Sequence, residues 1–265
     1  QRHIQVLDAL GNALAGRTTF PELGLVYQPK YTLQDQRLTG MEALCRWHSE
    51  ELGEVAPREF VTAAESGGLI RQLDYWVIDQ VCRQIAQWRE QELAGFHVAI
   101  NVSGKTLADE NFPQTLRQTM ERHQTPGAML MLELTEAALL QRPDLQRNAL
   151  KEIQSLGVGI AIDNFGTGHS SLASLQKLSV RELKIDGRFV ARLAEDPESA
   201  MLARTIVAMG RSLGIDVVAE GVETREQLDQ IQHFDGITVQ GYLYSQAVDA
   251  EAMQHLLIAT EPPAS

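Results

Sequence analysis

The sequence has 265 residues, of which 44% are hydrophobic and 22% charged, a composition that suits a folded core and excludes a largely disordered chain. The formal net charge of -12 argues against a surface that coats DNA or RNA, because such a surface needs clustered lysine and arginine. No apolar stretch approaches the roughly 20 residues that span a bilayer, and Cys45 and Cys82 lack metal-ligand spacing. We therefore expect a cytoplasmic domain whose partners do not include a DNA or RNA polymer.

The first elements predict a helix and then an antiparallel pair of strands. Residues 1–20 are interpreted as a linker helix from an upstream domain, which leaves room for a membrane anchor in a longer protein. Its apolar positions repeat with helical spacing at Ile4, Leu7, Leu10 and Leu14. Residues 25–31 and 38–46 are predicted strands, and the polar stretch between them is too short for a helical crossover, which favours a hairpin.

From residue 57 onward, helical and strand patterns alternate. Pro57 is placed in the first turn of a helix, and an amphipathic helix is predicted at 73–93. Further strands are predicted at 98–102, 128–135, 158–163, 180–185, 215–219 and 237–243. Helices are predicted at 105–123, 142–156, 198–213, 224–234 and 249–258, with a short one before residue 180. This rhythm predicts one α/β domain over 21–260, followed by a frayed tail at 261–265.

Seven of the strand-like runs end on a polar side chain. These side chains are Glu42, Asn101, Glu133, Asp163, Lys184, Glu220 and Gln240. Functional groups at the carboxyl ends of successive strands mark the catalytic mouth of a βα barrel. Four acids and an amide, with no histidine among them, suit Mg²⁺ or Mn²⁺ rather than Zn²⁺. The pattern predicts a divalent-metal hydrolase in which two ions clamp a phosphodiester and Lys184 orients or deprotonates the attacking water.

Each of these residues also has an ordinary structural interpretation. A single strand-end acid such as Glu42 is usually solvated, Lys184 is a natural ion-pair partner for the acids, and Asn101 can bond backbone. The functional interpretation depends on all seven acting in concert.

Short motifs around these positions match a known family. They are "EAL" at Glu42 to Leu44, "NVS" from Asn101, "ELTE" from Glu133 to Glu136, "DNFGTGHSSL" from Asp163, "LKID" ending at Asp186, "AEGVET" from Ala219 and "QGYLYS" from Gln240. In this order and at these separations, the chain resembles the EAL-domain phosphodiesterases, bacterial enzymes that linearise cyclic di-GMP. The resemblance spans Leu25 to Leu257. It implies a TIM-like α/β fold, an eight-stranded βα barrel with an antiparallel first strand.

The resemblance also implies roles for individual residues. The metal ligands would be Glu42, Asn101, Glu133, Asp163, Asn164 and Glu220, with Asp163 bridging two ions of Mg²⁺ or Mn²⁺. Lys184 would position the attacking water and form the catalytic set with Glu42 and Glu220. The substrate contacts would be Gln28, Leu44, Arg46, Asp186, Glu223 and Gln240. Glu136 would brace the glycine-containing loop after Asp163.

Two positions depart from the family pattern. Asn164 stands where active members usually carry a second aspartate, and His169 stands where they usually carry tyrosine. An amide oxygen can coordinate a cation but supplies no charge, and a loss of about 3 kcal/mol at the transition state slows chemistry more than a hundredfold. Asn164 therefore bears on hydrolysis more than on nucleotide binding.

Three functions remain open on the sequence. The first is hydrolysis of cyclic di-GMP to linear pGpG, and the second is a cyclic di-GMP receptor that hydrolyses poorly because of Asn164 and signals to attached domains. The third, outside the family, is a metal-assisted barrel enzyme that acts on a carbonyl compound. The resemblance further implies a homodimer that forms through the region after Asp163, and an upstream GGDEF or sensor domain.

Overall fold

A computed structural model of the chain describes residues 1–18, 22–140, 143–166, 178–234 and 236–260. Its strands are β1 (Leu23–Thr32), β2 (Leu38–Ser49), β3 (Gly53–Val55), β4 (His97–Asn101), β5 (Leu130–Thr135), β6 (Gly159–Phe165), β7 (Glu182–Ile185), β8 (Asp216–Ala219) and β9 (Ile237–Val239). Its helices in the described ranges are α1 (Arg2–Leu14), α2 (Pro57–Gly67), α3 (Ile70–Glu90), α4 (Gly104–Leu107), α5 (Phe112–Arg122), α6 (Glu136–Leu140), α7 (Pro143–Ser155), α8 (Gly187–Val190), α9 (Pro197–Leu213), α10 (Arg225–Ile231) and α11 (Ala250–Thr260).

The strands close into a barrel. β1 lies between β2 and β9 and is antiparallel to both, whereas the pairs from β2 through β4 to β9 are parallel. The short β3 pairs only with β2 and extends it as a hairpin outside the ring. Eight strands therefore form the ring, and the predicted barrel with an antiparallel first strand is confirmed.

Apolar side chains fill two separate regions. The large core lies between the strands and the surrounding helices, and it includes Trp47, Phe60 and Trp88, all fully buried. A second, small cluster consists of Ala99, Met131 and Ala161 on three neighbouring strands. Each of these three precedes a predicted site residue by two positions, and residues two apart on a strand share a face. The small cluster therefore lies on the inner face of the barrel, beneath the predicted site.

Some element boundaries differ from the sequence-based prediction. The helix predicted at 105–123 is two helices, α4 and α5, because Pro113 lacks the backbone N–H needed inside a helix and lies instead in the first turn of α5. The strand predicted at 237–243 ends at Val239. There Gly241 approaches the preceding loop so closely that a Cβ would lie 2.2 Å from the backbone oxygen of Val222.

The N-terminal helix predicted as a linker packs against the barrel domain. Val6 and Leu10 of α1 are fully buried, and Arg2 pairs with Glu59 of α2 at 2.8 Å. Ile4, one of the residues used to predict this helix, is 62% exposed. In the described part of the chain, no helix combines the length and apolarity that crossing a membrane requires.

Candidate active site

One buried lysine lies among four of the predicted acids at the carboxyl ends of the strands. The Nζ atom of Lys184 is 3.1 Å from Glu42 Oε2, 2.6 Å from Glu220 Oε1 and 3.6 Å from Asp163 Oδ1, and it also donates to Glu133 Oε2. The lysine side chain is only 1% exposed. Side chains from β2, β5, β6, β7 and the end of β8 therefore meet at one point, as the strand-end pattern predicts.

Two amides complete this cluster. Asn101 Nδ2 donates to Glu42 Oε1 at 2.7 Å, and Gln240 Nε2 donates to Glu42 Oε2 at 2.9 Å. The Gln240 Nε2 atom also lies 3.0 Å from Gln28 Oε1 on β1. Asn101 and Glu133 are direct neighbours in the β4–β5 register, and Gln28 and Glu42 are neighbours in the β1–β2 register. The structure thus brings together all seven strand-end residues, with Gln28 as an eighth.

Asp163 and Asn164 lie at an irregularity in β6. The β6–β7 register shifts between Ile162 and Phe165, and Asn164 has a φ of 55°, a left-handed conformation that asparagine tolerates better than most residues. The backbone N–H of Asn164 donates to Asp163 Oδ1 at 2.9 Å, and its side-chain Nδ2 donates to Asp163 Oδ2 at 2.7 Å. A regular strand would point these two side chains to opposite faces, and the irregularity lets them meet.

A second lysine, which the sequence analysis missed, lies deeper in the barrel. Lys30 Nζ is 2.9 Å from Glu133 Oε1 and 2.6 Å from Glu182 Oε1, and the Lys30 side chain is fully buried. Strand periodicity could have identified Lys30 and Glu182, because residues two apart on a strand share a face. Lys30 follows Gln28 by two positions, and Glu182 precedes Lys184 by two. The strand-end search overlooked them because they lie one layer below the ends.

Burial and the crowding of charges shift the pKa values of these acids. Desolvation, and then repulsion from Glu42, raises the pKa of Glu133 to about 7. Burial also raises the pKa of Glu220. Burial opposes ionisation of Glu42 as well, but the charges of Lys184 and Lys30 outweigh it and lower the pKa of that carboxyl. Five carboxylates, counting Asp163 and Glu182, share two ammonium groups in this interior.

The donor set fits a hard divalent cation in its chemistry. Carboxylate and amide oxygens are the ligands that Mg²⁺ and Mn²⁺ prefer, and a cation would offset the excess of acids over lysines. Within the described ranges, no three histidine, cysteine or acidic side chains are arranged to hold an ion as they stand. The Lys184 ammonium lies among the same carboxylates, 3.1 Å from Glu42 Oε2 and 2.6 Å from Glu220 Oε1.

Two cavities flank the acid cluster. A mouth cleft of about 350 Å³ is lined by Gln28, Glu42, Leu44, Gly187, Glu220, Gly221, Glu223, Gln240, Gly241 and Tyr242. A mainly apolar side cavity of about 300 Å³ reaches Asn101 and Glu133 from between β2, α2 and α3. Leu44 and Arg46 line the side cavity, and Leu44 belongs to both. Five of the six predicted substrate contacts therefore line a cavity beside the acids.

The sixth predicted substrate contact, Asp186, binds within its own loop. Its buried carboxylate accepts from the Arg188 backbone N–H at 2.8 Å and from Arg188 Nη2 at 2.6 Å, and so caps helix α8. Glu136 is buried at the start of α6, but most of the loop that it is predicted to brace, residues 167–177, lies outside the described residues. His169 falls in the same undescribed range.

Comparisons with known proteins agree with this geometry. The EAL domain family model matches residues 9–247 of the chain. The chain belongs to the EAL domain family. The bifunctional diguanylate cyclase/cyclic di-GMP phosphodiesterase MucR of Pseudomonas aeruginosa is 37% identical to this EAL domain over 253 residues, which cover 96% of the chain and 36% of MucR. The cyclic di-GMP phosphodiesterase PdeR of Escherichia coli is 36% identical over 234 residues, which cover 88% of the chain and 35% of PdeR.

A solved structure is also similar to this chain over nearly its whole length. The structure of the MucR phosphodiesterase in complex with c-di-GMP has a TM-score of 0.88 and 37% identity, and it covers 94% of this chain and 99% of that one. The chain spans about a third of the length of the curated relatives described above, since it covers 36% and 35% of them. The similarity therefore concerns about a third of each of these relatives.

Proposed function

We propose that this EAL domain is a metal-dependent phosphodiesterase that opens one phosphodiester bond of cyclic di-GMP to give linear pGpG. The observation that carries the proposal is the gathering of four acids from different strands around the buried Lys184, between two cavities. The names of MucR and PdeR as cyclic di-GMP phosphodiesterases support the substrate class, as does the c-di-GMP complex of MucR.

The substrate would bind across the mouth of the barrel. The cleft there presents amides from Gln28 and Gln240, an apolar side chain from Leu44 and the 62% exposed ring of Tyr242. Amides can hydrogen-bond a guanine edge, and apolar and aromatic groups can contact a base face. Arg46, at the edge of the neighbouring cavity, is a suitable partner for a phosphate.

The chemistry would depend on two ions of Mg²⁺ or Mn²⁺. The proposed ligands are Glu42, Asn101, Glu133, Asp163, Asn164 and Glu220. Bound divalent ions of this kind activate water and stabilise the charge that develops on a phosphodiester. The barrel's own contribution is to hold these oxygens at the ends of several strands and to exclude bulk water from Glu133 and Lys184, which are each 1% exposed. Lys184, at the centre of the acids, would orient the attacking water.

One observation favours a second candidate, a cyclic di-GMP receptor with weak activity. The Asn164 amide donates to the Asp163 oxygen at 2.7 Å, so that this oxygen is engaged by a donor rather than flanked by a second negative ligand. A missing charge at this position would reduce metal affinity and turnover while leaving the substrate cavities unchanged.

A turnover assay separates the two candidates. The purified chain is incubated with cyclic di-GMP and either Mg²⁺ or Mn²⁺, and linear pGpG is followed by chromatography. Glu42→Ala is expected to lose turnover by about a hundredfold or more, whereas the control Glu54→Ala, which removes an exposed glutamate from β3, should retain it. Turnover by the parent supports the phosphodiesterase. Binding without product, restored to turnover by Asn164→Asp, supports the receptor.

We also propose the wider organisation that the resemblance implies. The EAL domain occupies residues 21–260 of a longer cytoplasmic or membrane-anchored protein, α1 links it to an upstream GGDEF or sensor domain, and the domain pairs as a homodimer. Gel filtration with light scattering tests the last point. A monomer at micromolar concentration with full activity would contradict it.

A further inference from the structure

The deeper lysine occupies a place in the barrel that the direction of β1 determines. Gln28 reaches the mouth cluster through its bond with Gln240, and Lys30 lies two residues farther along the same face. Because β1 is antiparallel to its neighbours, two residues forward on β1 means one layer away from the mouth. The Lys30 side chain is therefore inside the barrel, and it is 0% exposed.

Lys30 and Lys184 divide the carboxylate of Glu133 between them. Lys30 Nζ lies 2.9 Å from Glu133 Oε1, and Lys184 Nζ donates to Glu133 Oε2. With each oxygen held by a different ammonium group, the plane of the carboxylate is fixed. Of the two lysines, Lys184 belongs to the mouth layer and Lys30 to the layer beneath it.

Lys30 is in turn held by a second acid. Glu182 Oε1 is 2.6 Å from Lys30 Nζ, and the Glu182 side chain is 5% exposed. The other Glu182 oxygen, Oε2, lies 3.8 Å from His97 Nε2 at the start of β4. Burying a lysine costs desolvation energy, which is offset only when its ion pairs have good geometry. The two short ion pairs therefore restrict the position of the Lys30 ammonium.

We propose that Lys30 is a positioning residue for Glu133, and that Glu182 fixes Lys30 in that role. The proposal rests on the proposed function, because Glu133 is one of the proposed metal ligands. Groups that orient a metal ligand from behind typically change metal affinity or activity about 10- to 100-fold when they are removed. Lys30 lines neither the mouth cleft nor the side cavity, and it would act only through Glu133.

Charge and position make opposite predictions for Lys30. Removing a cation that lies 2.9 Å from a ligand makes the site more negative and, by charge alone, tightens the binding of a divalent ion. Loss of the orientation of Glu133 would instead weaken the binding of the divalent ion. A purely structural ion pair would change stability and leave metal affinity as it is. Metal affinity therefore distinguishes the three explanations.

The main probe is the double variant Lys30→Met/Glu182→Gln, which removes one charge of each sign and avoids leaving a buried acid unpaired. Mn²⁺ binding to the 265-residue chain, without nucleotide, is measured by titration calorimetry and by the electron paramagnetic resonance of free Mn²⁺. We expect the dissociation constant to rise about tenfold. In the turnover assay, kcat should fall while KM for cyclic di-GMP stays the same. The matched control is Lys151→Met, which removes an exposed lysine of α7 and should change neither value.

A second variant keeps the charges and changes only the geometry. Glu182→Asp shortens the acid by one methylene, so it displaces the partner of Lys30 without altering the charge. We expect its Mn²⁺ affinity to be weaker than that of the parent, by less than the roughly tenfold change of the double variant. This variant decides the matter should the double variant not fold. Mn²⁺ affinities equal to or tighter than that of the parent in the folded variants would overturn the proposal.

The outcomes also separate this proposal from the proposed function. A parent that binds Mn²⁺ but forms no pGpG, with weaker Mn²⁺ binding in the double variant, supports the role of Lys30 and contradicts the phosphodiesterase. A parent that forms pGpG, with unchanged Mn²⁺ binding in the variants, supports the phosphodiesterase and contradicts the role of Lys30. A parent that binds no Mn²⁺ overturns both.

Discussion

Replacing Asn164 by aspartate should lower the stability of the metal-free protein and increase the stabilisation that Mn²⁺ provides. The Asn164 side chain donates to Asp163 Oδ2 at 2.7 Å, and its φ of 55° is accessible to aspartate as well. Asn164→Asp therefore keeps the backbone, loses a donor and places a second carboxylate beside the first. A hydrogen bond to a charged group contributes about 1.5–3 kcal/mol. In a chain of this size, about 2 kcal/mol corresponds to a melting temperature lowered by about 4–8 °C.

Metal offsets part of this loss because the new carboxylate becomes a charged ligand. If Asn164→Asp tightens Mn²⁺ binding tenfold, saturating Mn²⁺ adds about 1.4 kcal/mol of stabilisation beyond that of the parent. The assay is calorimetric melting of both proteins with a chelator and over a series of Mn²⁺ concentrations. The variant should melt lower than the parent with the chelator and gain more from Mn²⁺.

The control for this prediction is Asn164→Gly. Glycine adopts the same positive φ freely and removes the amide without adding a charge. It should lower the metal-free melting temperature and show no enhanced response to Mn²⁺. The reasoning is refuted if Asn164→Asp melts at or above the parent in chelator, or if Mn²⁺ stabilises the two proteins equally.

Three further predictions test other parts of the molecule. Burial opposes ionisation of Glu182, but the charge of Lys30 outweighs burial and holds the pKa of the Glu182 carboxyl below the ordinary 4.5. The ionised carboxylate therefore stabilises the fold above pH 4.5, and this stabilisation is lost as the pH falls toward the lowered pKa. In urea unfolding, the stability lost by Glu182→Gln should shrink below about pH 4.5, and a constant difference down to pH 3 would contradict this. Leu10→Ala should lower the free energy of unfolding by about 2–5 kcal/mol because Leu10 is fully buried. Ile4→Ala should change this free energy little because Ile4 is 62% exposed, and equal effects of the two substitutions would show that α1 is not packed. Gly241→Ala places a Cβ 2.2 Å from a backbone oxygen and should weaken cyclic di-GMP binding in calorimetry, an expectation that unchanged affinity would refute.

Much of the fold follows from the sequence because strands and their ends have a local signature. The alternation of apolar runs and helical segments predicts the barrel, and the short polar link before Leu38 predicts the reversed first strand. The break between α4 and α5 was also readable, since Pro113 is incompatible with a helix interior.

The site was less predictable where it depends on more than one strand. That Lys30 meets Glu133 and Glu182 requires the register of β1 against strands more than 100 residues away in sequence, which no local pattern contains. The bond between Asn164 and Asp163 depends on a shift in the β6–β7 register, and such irregularities have no reliable sequence signal. The sequence indicated which residues lie near the mouth and could not indicate which oxygen each would bind.

The reversed direction of β1 also determines where the preceding chain attaches. A strand that runs parallel to the others enters a barrel at the face opposite the acids. Here β1 begins at Leu23, which is paired with Trp47 beyond the level of Glu42, and so the chain enters on the same side as the acids. Helix α1 precedes this entry and packs on α2, whose Pro57, Phe60 and Val61 line the side cavity beside Asn101. The polarity of a single strand thus tethers the N-terminal helix to the functional face of the barrel.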